Sequence, residues 1–376
     1  MSLGTVRPAE LEDWLRTRYF QATVDISSSG VQPYRLGEIL DLTAMPTAEL
    51  LDIEFRDSPS LGHERLRAAL AARFAPGGGQ EPLVTHGSTE AILLAVSALV
   101  SPGDEVVVTA PAYHALTSVA DTMGAHLRVW RLPPERSFRP DLRALRSLVG
   151  PRTRAVIVNL PHNPTGVTLA PAEYAELLSI VDDSGAYLLW DASFAELVYR
   201  SVPLPDPSTV VRRCVSFGTL SKAYGLPGLR VGWCFAPADL LPRMVRMRDY
   251  VTLASSPLVE AIAARVVEQG DRVLASRLRQ ARENLGILDS WLAAAGDDVD
   301  GYLPDGGVTV FPRIAGVSDT RPLCSRLAAE CGVLVVPGDC FGHPDRVRIG
   351  FGGAPGELRA GLAALRQAGH EWRTSR

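Results

Sequence analysis

The chain has 376 residues, 46% of them hydrophobic, with 38 lysines and arginines against 42 aspartates and glutamates, a formal charge of −4. Acids and bases are mixed along the whole length, which excludes the basic footprint that nucleic acid or an anionic membrane would require. Met1–Leu15 shows no basic-then-apolar signal pattern and no apolar run reaches membrane-spanning length, so a soluble, cytoplasmic protein is expected.

From about residue 60 to 235, short apolar runs alternate with helical patterns. In chain order, helices are predicted over 60–74 and 88–100, a strand over Glu105–Thr109, helices over 113–123 and 141–149, a strand over Ala155–Asn159, a helix over 171–184, and strands over Ala186–Trp190 and Cys214–Phe217. Gly77–Gly79 reads as a loop. The strands are nearly continuous apolar runs, as in strands buried on both faces. Their alternation with helices implies a mostly parallel sheet covered by helices. Further on, helices over 238–250, 257–268 and 271–295 and strands over Gly306–Phe311, Val333–Val336 and Arg346–Phe351 predict an α+β unit. The expected organisation is an N-terminal segment 1–35 packing on the active site, a large α/β domain 36–251 and a smaller C-terminal α+β domain 252–376. The five cysteines include no CxxC and the seven histidines no HxxxH or HExxH, so neither a disulfide framework nor a metal site is indicated.

Ligands of open α/β sheets bind beyond the carboxyl ends of the strands. Three successive predicted strands deliver polar residues there: Asn163 after the first, Asp191 directly after Tyr-Leu-Leu-Trp, and Thr219 and Lys222 after Val-Ser-Phe-Gly. Lys222 is the only lysine in the chain. An ammonium can lose its proton and become a nucleophile that condenses with an aldehyde, whereas a guanidinium effectively cannot.

Pro161–Gly166, Trp190–Phe194 and Thr219–Gly232, in that order, resemble the matching segments of fold-type I pyridoxal phosphate (PLP) enzymes, the aspartate aminotransferase-like superfamily. The resemblance implies PLP as cofactor, a homodimer, and an amino-acid substrate. By the same resemblance Lys222 holds the cofactor aldehyde and then acts as acid and base. Asp191 keeps the ring nitrogen protonated, unless it is only a strand-end acid or cap. Asn163 bonds the ring hydroxyl, and Tyr113 stacks on the ring unless it is a core tyrosine. Ser88 and Thr89, opening a helix, would receive the phosphate with Thr219, Ser221 and Arg230; Thr219 and Ser221 could equally be caps. Arg348 and the Gly30 amide would hold the substrate α-carboxylate. Arg346, two residues from Arg348, is expected to be solvated.

Two positions depart from the superfamily pattern. Phe194 stands where a tyrosine often bonds the ring hydroxyl, and Asp57 where a tyrosine often reaches the partner subunit's phosphate. Both argue against a standard dicarboxylate aminotransferase. Asp25–Val31, Phe55–Asp57, Thr85–Ser88, Ser216–Cys234 and Ser256–Glu260 extend the resemblance to PLP enzymes that cyclise a β-hydroxylated arginine by losing water. An aminotransferase of a basic or aromatic amino acid is the alternative. Ser193, His114, His86 and Lys222 are candidates for proton transfer, and charge alone nominates Asp25, Asp57 or Glu12 for the guanidinium.

Overall fold

The apolar runs assemble into one seven-stranded sheet, in the spatial order Glu81–Thr85, Gly232–Ala236, Cys214–Thr219, Tyr187–Asp191, Thr153–Asn159, Glu105–Ala110, His126–Arg131. Gly232–Ala236 runs antiparallel to both neighbours, and the other strands all point the same way. The structure, a computed structural model, describes residues 6–200 and 202–374, so the first five residues of the N-terminal segment lie outside the described residues.

Alternate strand residues feed two apolar cores, as the two-residue period of a strand requires. Val106, Val108, Ile157, Leu189 and Val215 pack with helices Ser88–Leu99, Ala115–Thr122 and Leu241–Arg248 on one face. Val107, Val156, Val158 and Leu188 pack with Leu142–Leu148 and Pro171–Ser184 on the other. Helices Pro171–Ser184 and Pro257–Glu268 have the predicted bounds, because proline opens each at a position where no N–H is needed. Gly185, at φ 72°, ends the first in the left-handed region. At other helices the ends shift. The expected helix 60–74 begins only at Glu64, after Gly62 at φ 99°, and Leu142–Leu148 starts after Asp141, whose carboxylate accepts from the Arg143 and Ala144 amides.

Beyond the main sheet the predicted strands are shorter. Val333–Leu334 pairs in parallel with Val24–Asp25, while Val336–Pro337 and Thr309–Val310 flank Val347–Gly350, antiparallel. The run 333–336 therefore splits at Val335 between two sheets. Helices Gly270–Ala295 and Pro355–Thr374 pack against them, joined where Trp291 Nε1 donates to the Leu362 carbonyl at 3.0 Å. Arg346 is buried, contrary to the expectation of a solvated side chain. Its guanidinium lies 4.9 Å from the Phe138 ring centroid, and Nη1 donates to the Phe311 carbonyl at 3.0 Å. Residues two apart in a strand share a face and Val347–Gly350 is buried throughout, so nothing there turns Arg346 away from the buried Arg348 toward solvent.

The N-terminal helix Glu10–Arg16 buries Leu11 and Trp14, and Trp14 Nε1 donates to the Val335 carbonyl at 2.9 Å. Among the described residues no helix is long and apolar enough to cross a membrane.

Candidate active site

The carboxyl ends of the parallel strands meet the start of Gly232–Ala236 at one rim of the sheet. A cavity of about 480 Å³ opens there, lined by Gly30, Ser88, Thr89, Tyr113, Asn163, Asp191, Thr219, Ser221, Lys222, Arg230 and Arg348. Every residue that the resemblance assigns to the cofactor or to the substrate α-carboxylate thus borders the same space.

Lys222 Nζ donates to Ser29 Oγ at 2.8 Å and lies 5.9 Å from the Phe194 ring centroid. Burial pushes the Lys222 pKa down to about 8; the Arg348 charge acts in the same direction, while Asp191 and Glu12 oppose it. A substantial fraction of neutral amine is therefore present near pH 8.

Asp191 is the last residue of its strand and is buried. Its Oδ1 accepts from the Ser193 amide at 2.9 Å and from Ser193 Oγ at 2.5 Å. Burial raises its pKa, and the Ser193 hydrogen bonds and the Lys222 charge counter the rise.

Two buried polar chains hold the adjoining loops. Asn159 Nδ2 donates to the Asp191 carbonyl at 3.1 Å, and its Oδ1 accepts from the Asn163 amide at 2.8 Å. His162 Nε2 donates to the Pro111 carbonyl at 2.8 Å while Nδ1 accepts from Thr165 Oγ1 at 2.7 Å, which ties the Asn163 loop to the loop carrying Tyr113. Burial pushes the His162 pKa down to about 4, so this bridge is neutral. Burial, with Glu12 adding to it, pushes the Tyr113 pKa up to about 12, and its hydroxyl donates to Glu12 Oε1 at 3.4 Å.

At the other end of the cavity the N-terminus of helix Ser88–Leu99 is exposed to it through backbone close approach. A Cβ on Gly232 would sit 2.3 Å from the Gly87 carbonyl carbon and the Ser88 nitrogen, and a Cβ on Gly87 would sit 2.7 Å from Arg230 Nη2. Only glycines leave this cradle open. Thr219 Oγ1 accepts from the Ser221 amide and donates to the Val231 carbonyl, both at 3.1 Å. Arg230 is exposed, and its Nη1 donates to the Pro227 carbonyl at 3.0 Å. Helix-terminal amides, hydroxyls and a guanidinium in one cradle suit a phosphate. With an amine for the aldehyde and a buried carboxylate for the ring nitrogen, the residues fit PLP.

Arg348 is buried, donating from Nη2 to the Ser27 carbonyl at 2.8 Å and from Nη1 to Asn163 Oδ1 at 3.2 Å. Its Nε has no partner among the described residues, and burial pushes its pKa down to about 10. A buried guanidinium with an unfilled donor is suited to an anionic ligand. The Gly30 amide is turned to Ser28 Oγ, at 3.2 Å.

Not all nominated residues converge. Asp57 is exposed and lies off the cavity wall; His86, held against Glu90, and His114, whose Nδ1 is buried without a partner among the described residues, lie off it too. Ser193, Glu12, Asp25 and Phe194 do line the cavity. Asp25 Oδ1 accepts from the Ser27 amide at 2.7 Å and Ser27 Oγ at 2.6 Å. The sequence reading missed Ser29, which lies inside the quoted Asp25–Val31 run, and Glu357, in the first turn of Pro355–Thr374, for which no local signal exists.

Residues 53–365 match the family described as Aminotransferase class I and II. The chain is similar to capreomycidine synthase of Streptomyces vinaceus, with 55% identity over 95% of this chain and 92% of that protein. Among solved structures it is similar to the PLP-dependent cyclase OrfR in complex with Au, at 42% identity and a TM-score of 0.92, covering 99% of this chain and 100% of that one. It is also similar to a PLP-dependent aminotransferase from Streptococcus suis 89-1591, at 26% identity and a TM-score of 0.90 over 98% of both chains. With the family matched along most of its length and PLP chemistry matched in the cavity, the chain belongs to the class I and II aminotransferase family of PLP-dependent enzymes.

Proposed function

We propose that this protein is a cyclising hydro-lyase of antibiotic biosynthesis, working as a cytoplasmic homodimer. Its substrate is 3-hydroxyarginine or 3,4-dihydroxyarginine, and its product capreomycidine or the hydroxy derivative. The observation that carries this reading is the near full-length likeness to capreomycidine synthase. Phe194 and the displaced Asp57 support it, since both depart from the transaminase pattern.

PLP, when bound, carries the substrate amine and takes up the electron pair released at Cα. Ser88, Thr89, Thr219, Ser221 and Arg230 would hold its phosphate, Asp191 the proton on its ring nitrogen, Asn163 its ring oxygen and Tyr113 its ring face. Arg348, beside Gly30, would orient the substrate α-carboxylate. Lys222 is the catalytic base: with its pKa lowered to about 8 it takes the Cα proton and later returns one. The Cβ hydroxyl leaves with a proton as water, a guanidine nitrogen bonds to Cβ and loses its proton, and Cα regains one. The net change is the loss of one water, with no external amino acceptor.

The test incubates holoenzyme with each hydroxyarginine in the absence of any 2-oxo acid and identifies products by mass and NMR. A cyclic guanidine lighter by one water is expected. An absolute requirement for a 2-oxo acid, with an oxo acid as main product, would replace this reading with an aminotransferase of a basic or aromatic amino acid.

A further inference from the structure

One carboxylate in the cavity is unaccounted for by cofactor or substrate backbone. Helix Glu10–Arg16 carries Glu10, Glu12 and Asp13 in its first turn. Glu10 pairs with Arg321 at 3.5 Å and Asp13 with Arg16 at 2.5 Å. Glu12, the one of the three that lines the cavity, has no ion pair among the described residues; its carboxylate is met by the Tyr113 hydroxyl. The buried side chains of Leu11 and Trp14 fix the helix on either side of it.

The other charges of the cavity have uses. Lys222, Arg230 and Arg348 answer the aldehyde, the phosphate and the α-carboxylate, and Asp191 answers the ring nitrogen. Asp25 is taken up by Ser27, and Glu357 is exposed at the start of its helix. Glu12 remains as a partly buried carboxylate close enough to act on both Lys222 and Arg348, the groups proposed above for the Cα proton and the α-carboxylate. An anion in that place calls for a cation from the ligand. A planar guanidinium matches a carboxylate with two parallel hydrogen bonds.

We infer that Glu12 receives the guanidinium of the substrate side chain and so selects arginine-type substrates. The inference rests on the hydroxyarginine reading above and deepens it.

The test reads binding apart from turnover. Dissociation constants of L-arginine, L-citrulline and L-norvaline for the holoenzyme are taken from the change in cofactor absorbance. Citrulline replaces the guanidinium with a neutral urea, and norvaline lacks the group. The wild type is expected to favour arginine over citrulline. Glu12→Gln should weaken arginine about 10- to 100-fold, the worth of a hydrogen bond to a charged group, and leave citrulline and norvaline unchanged. Glu10→Gln, on the same helix, should keep the wild-type preference. The assignment is overturned if Glu12→Gln weakens arginine and norvaline alike, or if Glu357→Gln abolishes the preference and Glu12→Gln does not. If the arginine preference depends on Glu12 but hydroxyarginine is not cyclised, the cyclase reading fails while Glu12 keeps its role.

Discussion

Arg348 donates from Nη1 to the amide oxygen of Asn163 at 3.2 Å, joining positions 185 apart in the chain. A guanidinium offers only donors, so the Asn163 oxygen must face Arg348 and its NH2 must point elsewhere. In the proposed binding mode that NH2 is the donor for the PLP ring oxygen. Asn163→Asp keeps an acceptor for Arg348 and loses the donor, so it should weaken PLP retention while largely sparing arginine binding. Asn163→Leu loses both and leaves a buried guanidinium donor unpaired, a cost of about 1–3 kcal/mol. It should weaken both. Equilibrium dialysis of PLP and absorbance titration with arginine measure the two effects separately, and equal loss of both in Asn163→Asp would contradict this division.

On the role proposed for Lys222, its pKa sets the pH at which cofactor can be attached. The neutral amine is the form that attacks an aldehyde. Attachment of PLP to apoprotein should therefore speed up as pH rises and level off above about 8, the depressed Lys222 value. Below that it should slow about tenfold per pH unit. Arg348 is a second cause of the depression after burial, so Arg348→Ala should move the midpoint upward. Stopped-flow absorbance across pH reads the midpoint directly. A wild-type midpoint near the ordinary lysine value of about 10.4 would show that burial does not tune this amine.

The rim of the sheet was legible because its signals are local. Continuous apolar runs mark buried strands, and the polar residue after each run marks the rim, which is how Asn163, Asp191 and Lys222 can be read from sequence. Helices opened by Pro171 and Pro257 are legible to the residue for an equally local reason. What fails is whatever depends on a distant partner. Gly232–Ala236 reads as the tail of the lysine motif, yet it is the antiparallel strand on which Glu81–Thr85 is laid. Arg346 is buried only because Phe138 and Phe311 arrive from elsewhere in the chain. Glu12, Asp25 and Asp57 are indistinguishable by charge, and only the fold separates the unpaired acid from the one held by Ser27 and the one outside the cavity.

Phe194 leaves the cavity without a hydroxyl that many superfamily members carry. It is buried and its ring lies beside the Lys222 amine. A phenol there would donate to the deprotonated ring oxygen of PLP, and a hydrogen bond to the charged form favours that form. Phe194→Tyr should therefore lower the midpoint of the pH titration of the holoenzyme's visible band. An unchanged or raised midpoint would show that the tyrosine hydroxyl does not reach the ring oxygen.

Leu51, Phe55 and Tyr250 are 84%, 79% and 87% exposed. Arg248 donates to the Ser60 carbonyl, which links the segment of Tyr250 to the one that follows Phe55. Large apolar side chains left this exposed suit a subunit contact. The wild type should scatter light as a dimer, and Phe55→Asp combined with Tyr250→Asp should shift the mass toward monomer. A fully active wild-type monomer at assay concentration would remove the dimer from the proposal.

Isotope incorporation tests the role of Lys222 in the reaction itself. Its Nζ is held by Ser29 Oγ at 2.8 Å on the cavity wall, and it is the only lysine in the chain. Borohydride treatment should therefore fix the cofactor to one peptide. An amine that takes the Cα proton exchanges it with water before returning one, because an ammonium holds three equivalent hydrogens. In deuterated water the cyclic product should carry deuterium at Cα. Arginine without the β-hydroxyl should bind and exchange its Cα hydrogen yet give no cyclic product, since it has no leaving group. Lys222→Ala should abolish both exchange and cyclisation while PLP can still be held through the phosphate cradle. Unlabelled cyclic product, or a Lys222→Ala protein that turns over at the wild-type rate, would move the proton transfer to another residue. Ser193 would be the first to test, as a hydroxyl that lines the same cavity.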